Sequence, residues 1–97
     1  MSVKIILPEA FHIYTDGRTE FRVEMQDVLL SDVLDFIVKR YPTLKSHLFD
    51  GLGNVRSFLT ILHNDDDILH KQGLETKIHQ GDIIKFKPHF SELFTTH

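Results

Sequence analysis

Seven histidines are spread along the 97 residues: His12, His47, His63, His70, His79, His89 and His97. Imidazole and carboxylate together can hold zinc, and His63, Asp65, Asp67 and His70 crowd one short stretch. Their spacing matches neither a metallopeptidase helix nor a calcium loop. The expectation is therefore scattered surface histidines beside a solvated acidic turn, with no metal. Histidines titrate near neutral pH, so net charge and any interface are expected to be pH-sensitive. Asp65-Asp66-Asp67 has the residue type for general acid–base work, but such a triplet is also ordinary turn chemistry. No nucleophile–base pair accompanies it: Ser31 is better used as a helix cap, and Ser57 and Ser91 have no identifiable partner. Gly51-Leu52-Gly53-Asn54 follows a helix and precedes a strand, the opposite polarity to a phosphate-cradling dinucleotide fingerprint. Lys85 and Lys87 flank Phe86, yet two lysines do not make a basic stripe. No catalytic residue and no cofactor is expected, and the chain is expected not to be an enzyme.

Composition narrows the class further. With no cysteine, disulfides, thiolate chemistry and cysteine zinc sites are excluded. The net charge of −3 argues against a sequence-independent hold on nucleic acid phosphate. No run of about 18 apolar residues offers a membrane span, and no basic segment followed by an apolar run opens the chain as a signal peptide would. A cytoplasmic location is the expectation. The chain has 41% hydrophobic and 26% charged residues, enough apolar surface for one thin core.

The elements that must position these residues follow from periodicity. Val3 to Tyr14 is apolar and β-prone, Thr15-Asp16-Gly17-Arg18 supplies a turn, and Thr19 to Met25 alternates with Phe21, Val23 and Met25 on one face. This predicts an opening β-hairpin. Ser31 is the predicted N-cap of a helix whose apolar stripe is Val33, Leu34, Ile37, Val38 and Tyr41, ended by Pro42. Leu44 to Ser57 is expected as a loop and Phe58 to His63 as a strand. A polar turn at residues 64–67 follows, then a short strand or turn at Ile68-Leu69 and an irregular segment from Gly73 to Ile78. Ile83 to Lys87 is the last strand, closed by Pro88. One helix covers one face of a sheet, which gives a two-layer α+β domain. Its expected form is a ubiquitin-like β-grasp, with a mixed sheet of four to five strands packed on one main helix. Residues 1–88 are the expected domain and residues 89–97 a C-terminal tail.

Four pieces resemble one family. They are the hairpin; the helix running from Leu30-Ser31-Asp32-Val33-Leu34 to Arg40-Tyr41-Pro42-Thr43-Leu44; the strand Phe58-Leu59-Thr60-Ile61-Leu62-His63-Asn64; and Gly73-Leu74-Glu75-Thr76-Lys77-Ile78 followed by Gly81-Asp82-Ile83-Ile84. In this order and spacing they resemble the small sulfur carriers of thiamine and molybdopterin biosynthesis, the ThiS/MoaD group. The resemblance runs from Val3 to Pro88. It implies a tail ending in two glycines, whose carboxylate an ATP-using enzyme adenylates and which then becomes a thiocarboxylate. It also implies protein partners: an adenylating enzyme or the large subunit of a molybdopterin synthase. This sequence departs at the tail: the glycines the resemblance implies align near Glu92 and Leu93, and no glycine follows Gly81.

The expected function is therefore a non-enzymatic interaction module derived from such a carrier. It is expected to dock a protein partner, and neither nucleic acid nor membrane. The expected docking residues are Phe58, Thr60, Leu62 and Phe86 on the sheet and Phe90, Leu93 and Phe94 in the tail. The alternative is an active sulfur carrier with an atypical terminus, in which the carboxylate of His97 is the acyl acceptor. The apolar surplus of Ile6, Phe58, Leu59, Ile61, Leu62, Ile83, Ile84 and Phe86 gives several strands apolar residues on both faces. Either the second face is exposed for a partner, or the loop 44–57 covers it.

Overall fold

The computed structural model describes residues 2–25 and 27–88. Alternating apolar residues make the strands. β1 (Val3–Ile6) and β2 (Glu20–Val23) pair antiparallel, with Ile5 opposite Phe21 and Val3 opposite Val23. β3 (Val28–Leu29) leads into α1 (Leu30–Arg40). β4 (Leu59–His63) runs into β5 (Asp66–Asp67) through Asn64 and Asp65, both at positive φ, the backbone of a two-residue hairpin turn. β6 (Lys77–Ile78) pairs with β3, and β7 (Ile83–Pro88) closes the chain of elements. Among the described residues the main sheet has the order β2-β1-β7-β4-β5, with β1 and β7 parallel and the other pairs antiparallel. This mixed sheet with α1 across one face is the expected α+β β-grasp.

The core lies between that sheet and α1. Leu30, Val33, Leu34 and Ile37 descend from the helix onto Val3, Ile5, Phe21, Ile61, Ile84 and Phe86, all buried. The helix start differs from expectation. Leu29, not Ser31, stands at the N-cap, and its N–H donates to Asp32 Oδ2 at 2.9 Å. Asp32 at the third helical position therefore reaches back to the N-cap residue's own N–H, and its charge suits the positive end of the helix. Asp32→Ala is expected to lower stability by about 1 kcal/mol, read as a shifted urea midpoint with an unchanged slope.

Three further segments depart from the sequence reading. The first arm of the hairpin ends at Ile6: Pro8 has no N–H for the ladder, and Glu9–Tyr14 winds as a 3-10 helix that buries Phe11. Asp16 and Gly17 do take positive φ, but they close this longer excursion and not a tight hairpin. The expected loop 44–57 opens instead with a 3-10 turn, Pro42–Leu44, and the short helix α2 (Lys45–Leu48). Leu44 and Leu48 are fully buried there. The 3-10 turn packs on α1 and on Glu9–Tyr14, so this segment lies on the helix side of the sheet. Further along the same stretch, Asn54, Val55, Arg56 and Ser57 line a groove beside Leu59, Thr60 and Ile61 of β4. Lastly, the strand pairing of β5 shortens the acidic turn to Asn64-Asp65, and Ile68–His70 and Gly73–Glu75 are 3-10 turns.

Candidate functional site

The open face of the sheet is built by the strand parity that builds the core. In β4 the residues facing the core are Leu59, Ile61 and His63, so Thr60 and Leu62 face outward, half-buried. In β7 Ile84 and Phe86 are buried, so Ile83, Lys85 and Lys87 face outward. The register aligns them: Leu62 is opposite Lys85, Thr60 opposite Lys87, and on the other side of β7 Ile6 is beside Lys85 and Lys4 beside Ile83. Arg22 extends the row beyond Lys4. The result is a face on which Ile6, Leu62 and Ile83, the last 41% exposed, alternate with Lys4, Lys85 and Lys87, Lys85 standing between Ile6 and Leu62 and Arg22 lying at the edge. Glu20 reaches Lys4 at 3.5 Å and offsets one of these cations.

The expected docking residues divide accordingly. Thr60 and Leu62 lie on this face. Phe58 sits just before β4, partly buried against the core. Phe86 is a correction: it is 2% exposed, paired with Ile61 on the helix-facing side, and cannot touch a partner while the fold holds. Phe90, Leu93, Phe94 and His97 lie outside the described residues. Sequence reasoning missed Lys4 and Arg22, which join the two lysines of β7 only through the sheet register.

A second cluster also went unread. His63, 8% exposed, points its Nε2 at Asp82 Oδ2, 2.7 Å away, and its Nδ1 lies 2.7 Å from Lys71 Nζ. Asp82 also accepts from the His79 N–H at 2.8 Å and from Asn64 Nδ2 at 3.1 Å. Asn64 Oδ1 in turn accepts from the Ile83 N–H at 2.8 Å. Burial opposes the charge on Asp82, but the hydrogen bonds from His63, the His79 amide and Asn64 outweigh it and hold the carboxyl below its ordinary value. The sequence held no local signal for it: His63 and Asp82 are 19 residues apart and meet because β4 lies beside β7. The suspected metal set does not assemble: both ring nitrogens of His63 are engaged elsewhere, His70 and Asp65 are exposed, and Asp67 Oδ1 accepts from the Leu69 N–H. Among the described residues no group of three histidines or carboxylates is placed to hold a metal ion. An open groove of about 480 Å3 runs beside β4, lined by Val55, Arg56, Ile61, Ile68, Leu69 and Leu74 among others. No helix among the described residues is long and apolar enough to cross a membrane.

No protein-family model and no curated protein sequence matches this chain. Solved structures do. The chain is similar to small archaeal modifier protein 1 from Methanosarcina acetivorans, at 28% identity and a TM-score of 0.72, covering 90% of this chain and 91% of that one. It is similar to a chain of the BexX/CysO complex of Amycolatopsis orientalis, at 23% identity and a TM-score of 0.77, covering 89% and 93%. A putative molybdopterin converting factor, subunit 1, from Pyrococcus furiosus matches at 18% identity and a TM-score of 0.66, covering 91% and 97%. The fold is the ubiquitin-like β-grasp, and the solved neighbours are ThiS/MoaD-like carriers and small modifier proteins.

Proposed function

We propose that this chain, a β-grasp with carrier and modifier proteins as its structural neighbours, is a non-enzymatic protein-interaction module. It docks a partner protein through the open sheet face and residues 89–97. The observation that carries this reading is the open face itself. Among the described residues Ile6, Leu62 and Ile83 share that face with Lys4, Arg22, Lys85 and Lys87, and the 42–48 segment packs on the other side of the sheet. These four cations gather on one face of a chain whose net charge is −3. The fitting partner therefore presents apolar surface interspersed with carboxylates, since such complementarity steers encounter and fixes register. That a neighbour of this fold was solved in a BexX/CysO complex supports a protein partner. By resemblance, the partner is an adenylating enzyme or a molybdopterin synthase large subunit. In this reading residues 1–88 form the docking domain, and Phe90, Leu93 and Phe94 of the tail extend the contact.

The test uses a purified adenylating enzyme and a purified molybdopterin synthase large subunit as the binding partners. Reversing two cations, Lys85→Glu with Lys87→Glu, is expected to weaken the complex at least tenfold, about 1.4 kcal/mol, with a flatter salt dependence. Unchanged affinity by titration calorimetry would remove the open face from the interface.

The second reading, an active sulfur carrier, is favoured by the placement of β7, an inner strand that delivers the chain to the end of the sheet at Pro88. It requires the carboxylate of His97 to be adenylated by ATP, with pyrophosphate leaving, and sulfide-level sulfur then to displace AMP and leave a thiocarboxylate. Intact mass of native protein separates the two. Sulfur in place of a terminal oxygen establishes the carrier, and an unmodified end leaves the docking module.

A further inference from the structure

The Lys71–His63–Asp82 chain has a protonation requirement built into it. An ammonium has no lone pair, so at 2.7 Å from Lys71 Nζ the His63 Nδ1 must accept. Nε2 then carries the ring's proton and donates to Asp82 Oδ2 at 2.7 Å. The ring is neutral in this arrangement. Lys71 Nζ also donates to the His63 carbonyl at 3.1 Å. Four charged or titratable groups surround the ring. Asp82 comes from the turn before β7, Lys71 from the segment after Ile68–His70, and Asp66 of β5 lies 3.9 Å from Lys71 Nζ. His79 Nδ1 lies 3.9 Å from the Asp82 carboxylate.

We propose that His63 is a pH-operated latch that holds the 69–75 segment against β4 through Lys71. When a proton from solvent binds Nδ1, the acceptor becomes a donor aimed at an ammonium, and the Nζ–H···Nδ1 hydrogen bond breaks. Two cations then face one another with no anion between them. The ring stays, because Nε2–H donates to Asp82 Oδ2 whether or not Nδ1 is protonated. The lysine leaves, because its side chain is 27% exposed and Asp66 stands beside its path to solvent.

The release is local. Ile68 remains in the core at 5% exposure, and the Leu30 N–H bonds to the Thr76 carbonyl at 2.9 Å, so both ends of the segment stay anchored. Between these anchors Leu69, Gly73 and Leu74 form one wall of the 480 Å3 groove. Acidification therefore frees the Leu69–Gln72 part of that wall, while Leu74 stays packed on the core and β4, β7 and the open sheet face keep their places.

The test follows the whole chain by NMR from about pH 8 to about pH 5, the span in which imidazole changes charge. His63 is followed on its ring protons, and residues 69–75 on their amide shifts and exchange. The expected result is that protection at Leu69 and Lys71, whose amides bond to Asp67 Oδ1 and the Ile68 carbonyl, falls at least tenfold with the midpoint of the ring, after correction for intrinsic exchange. In Lys71→Met the ring still titrates, but the segment no longer responds, since nothing remains to be expelled. Three results would overturn the latch: a segment that stays fixed while the ring titrates, a Lys71→Met response equal to that of the unaltered chain, or a ring that does not titrate in this range. The first and third need no variant.

Discussion

Phe86→Ala is expected to cost about 3–5 kcal/mol of stability, whereas Leu62→Asp is expected to leave the fold within about 1 kcal/mol and to weaken partner binding at least tenfold. The two residues belong to adjacent strands and have similar character, so the contrast tests the face assignment directly. Phe86 is 2% exposed and lies beneath α1 among Ile5, Ile61 and Ile84. Truncating it removes a full aromatic ring of buried surface and leaves a cavity that close-packed neighbours fill poorly. Leu62 is half-buried on the opposite face, between Lys85 of β7 and Asp67 of β5. A carboxylate there faces Lys85 on one side and Asp67 on the other, an attraction and a repulsion that largely offset at this partly exposed position. It replaces an apolar contact of the open face with a charge that a docked partner would have to desolvate. Urea unfolding measures the first effect and titration calorimetry against the partner the second. The milder Phe86→Leu keeps the measurement possible if the alanine variant does not fold. A Phe86 variant that folds normally and loses only binding would reverse the assignment.

That assignment shows where sequence reasoning stops. Period-two alternation separates Thr60 and Leu62 from Leu59 and Ile61 within one strand, and Ile84 and Phe86 from Lys85 and Lys87 within another. It does not say which set of one strand shares a face with which set of the other. Only the register does, and a slip of one residue exchanges the faces. Phe86 was grouped with Leu62 for that reason, and its pairing with Ile61 corrects it. The helix was legible because Val33, Leu34 and Ile37 carry the full apolar stripe. Its first residue was not, because a serine and an aspartate one position apart compete for the same cap. Pro8 announced the end of the first strand, and Pro42 with Leu44 and Leu48 at four-residue spacing announced α2. The glycines at 51 and 53 drew that whole stretch toward a loop. The His63–Asp82 contact spans 19 residues and depends on β4 lying beside β7, so no local pattern could reveal it.

The same contact sets the second large effect. Asp82→Ala is expected to lower stability by about 2–4 kcal/mol near neutral pH, a drop in Tm on the order of 10–20 °C. The carboxylate accepts from three donors: the ring of His63, the amide of His79 and the side chain of Asn64. Removing it strands the buried imidazole N–H, whose desolvation cost is then unmet, and loosens the Asn64 amide that holds the Ile83 N–H. The turn between β4 and β5 and the turn before β7 lose their common tie. The pH dependence has a definite sign. Because the folded-state carboxyl of Asp82 titrates below its ordinary value, its contribution is fully present above the unfolded value of about 3.9. It is lost as pH falls through the folded value. The gap between the unaltered chain and Asp82→Ala is therefore widest above about pH 4.5 and narrows in stronger acid, since protonated Asp82 no longer supplies a charged acceptor. Thermal unfolding of both proteins across that range measures it. A gap below about 1 kcal/mol at neutral pH would mean that water replaces the carboxylate without loss. A gap that widened on acidification would mean that Asp82 is protonated in the fold, and that His63 draws its orientation from elsewhere.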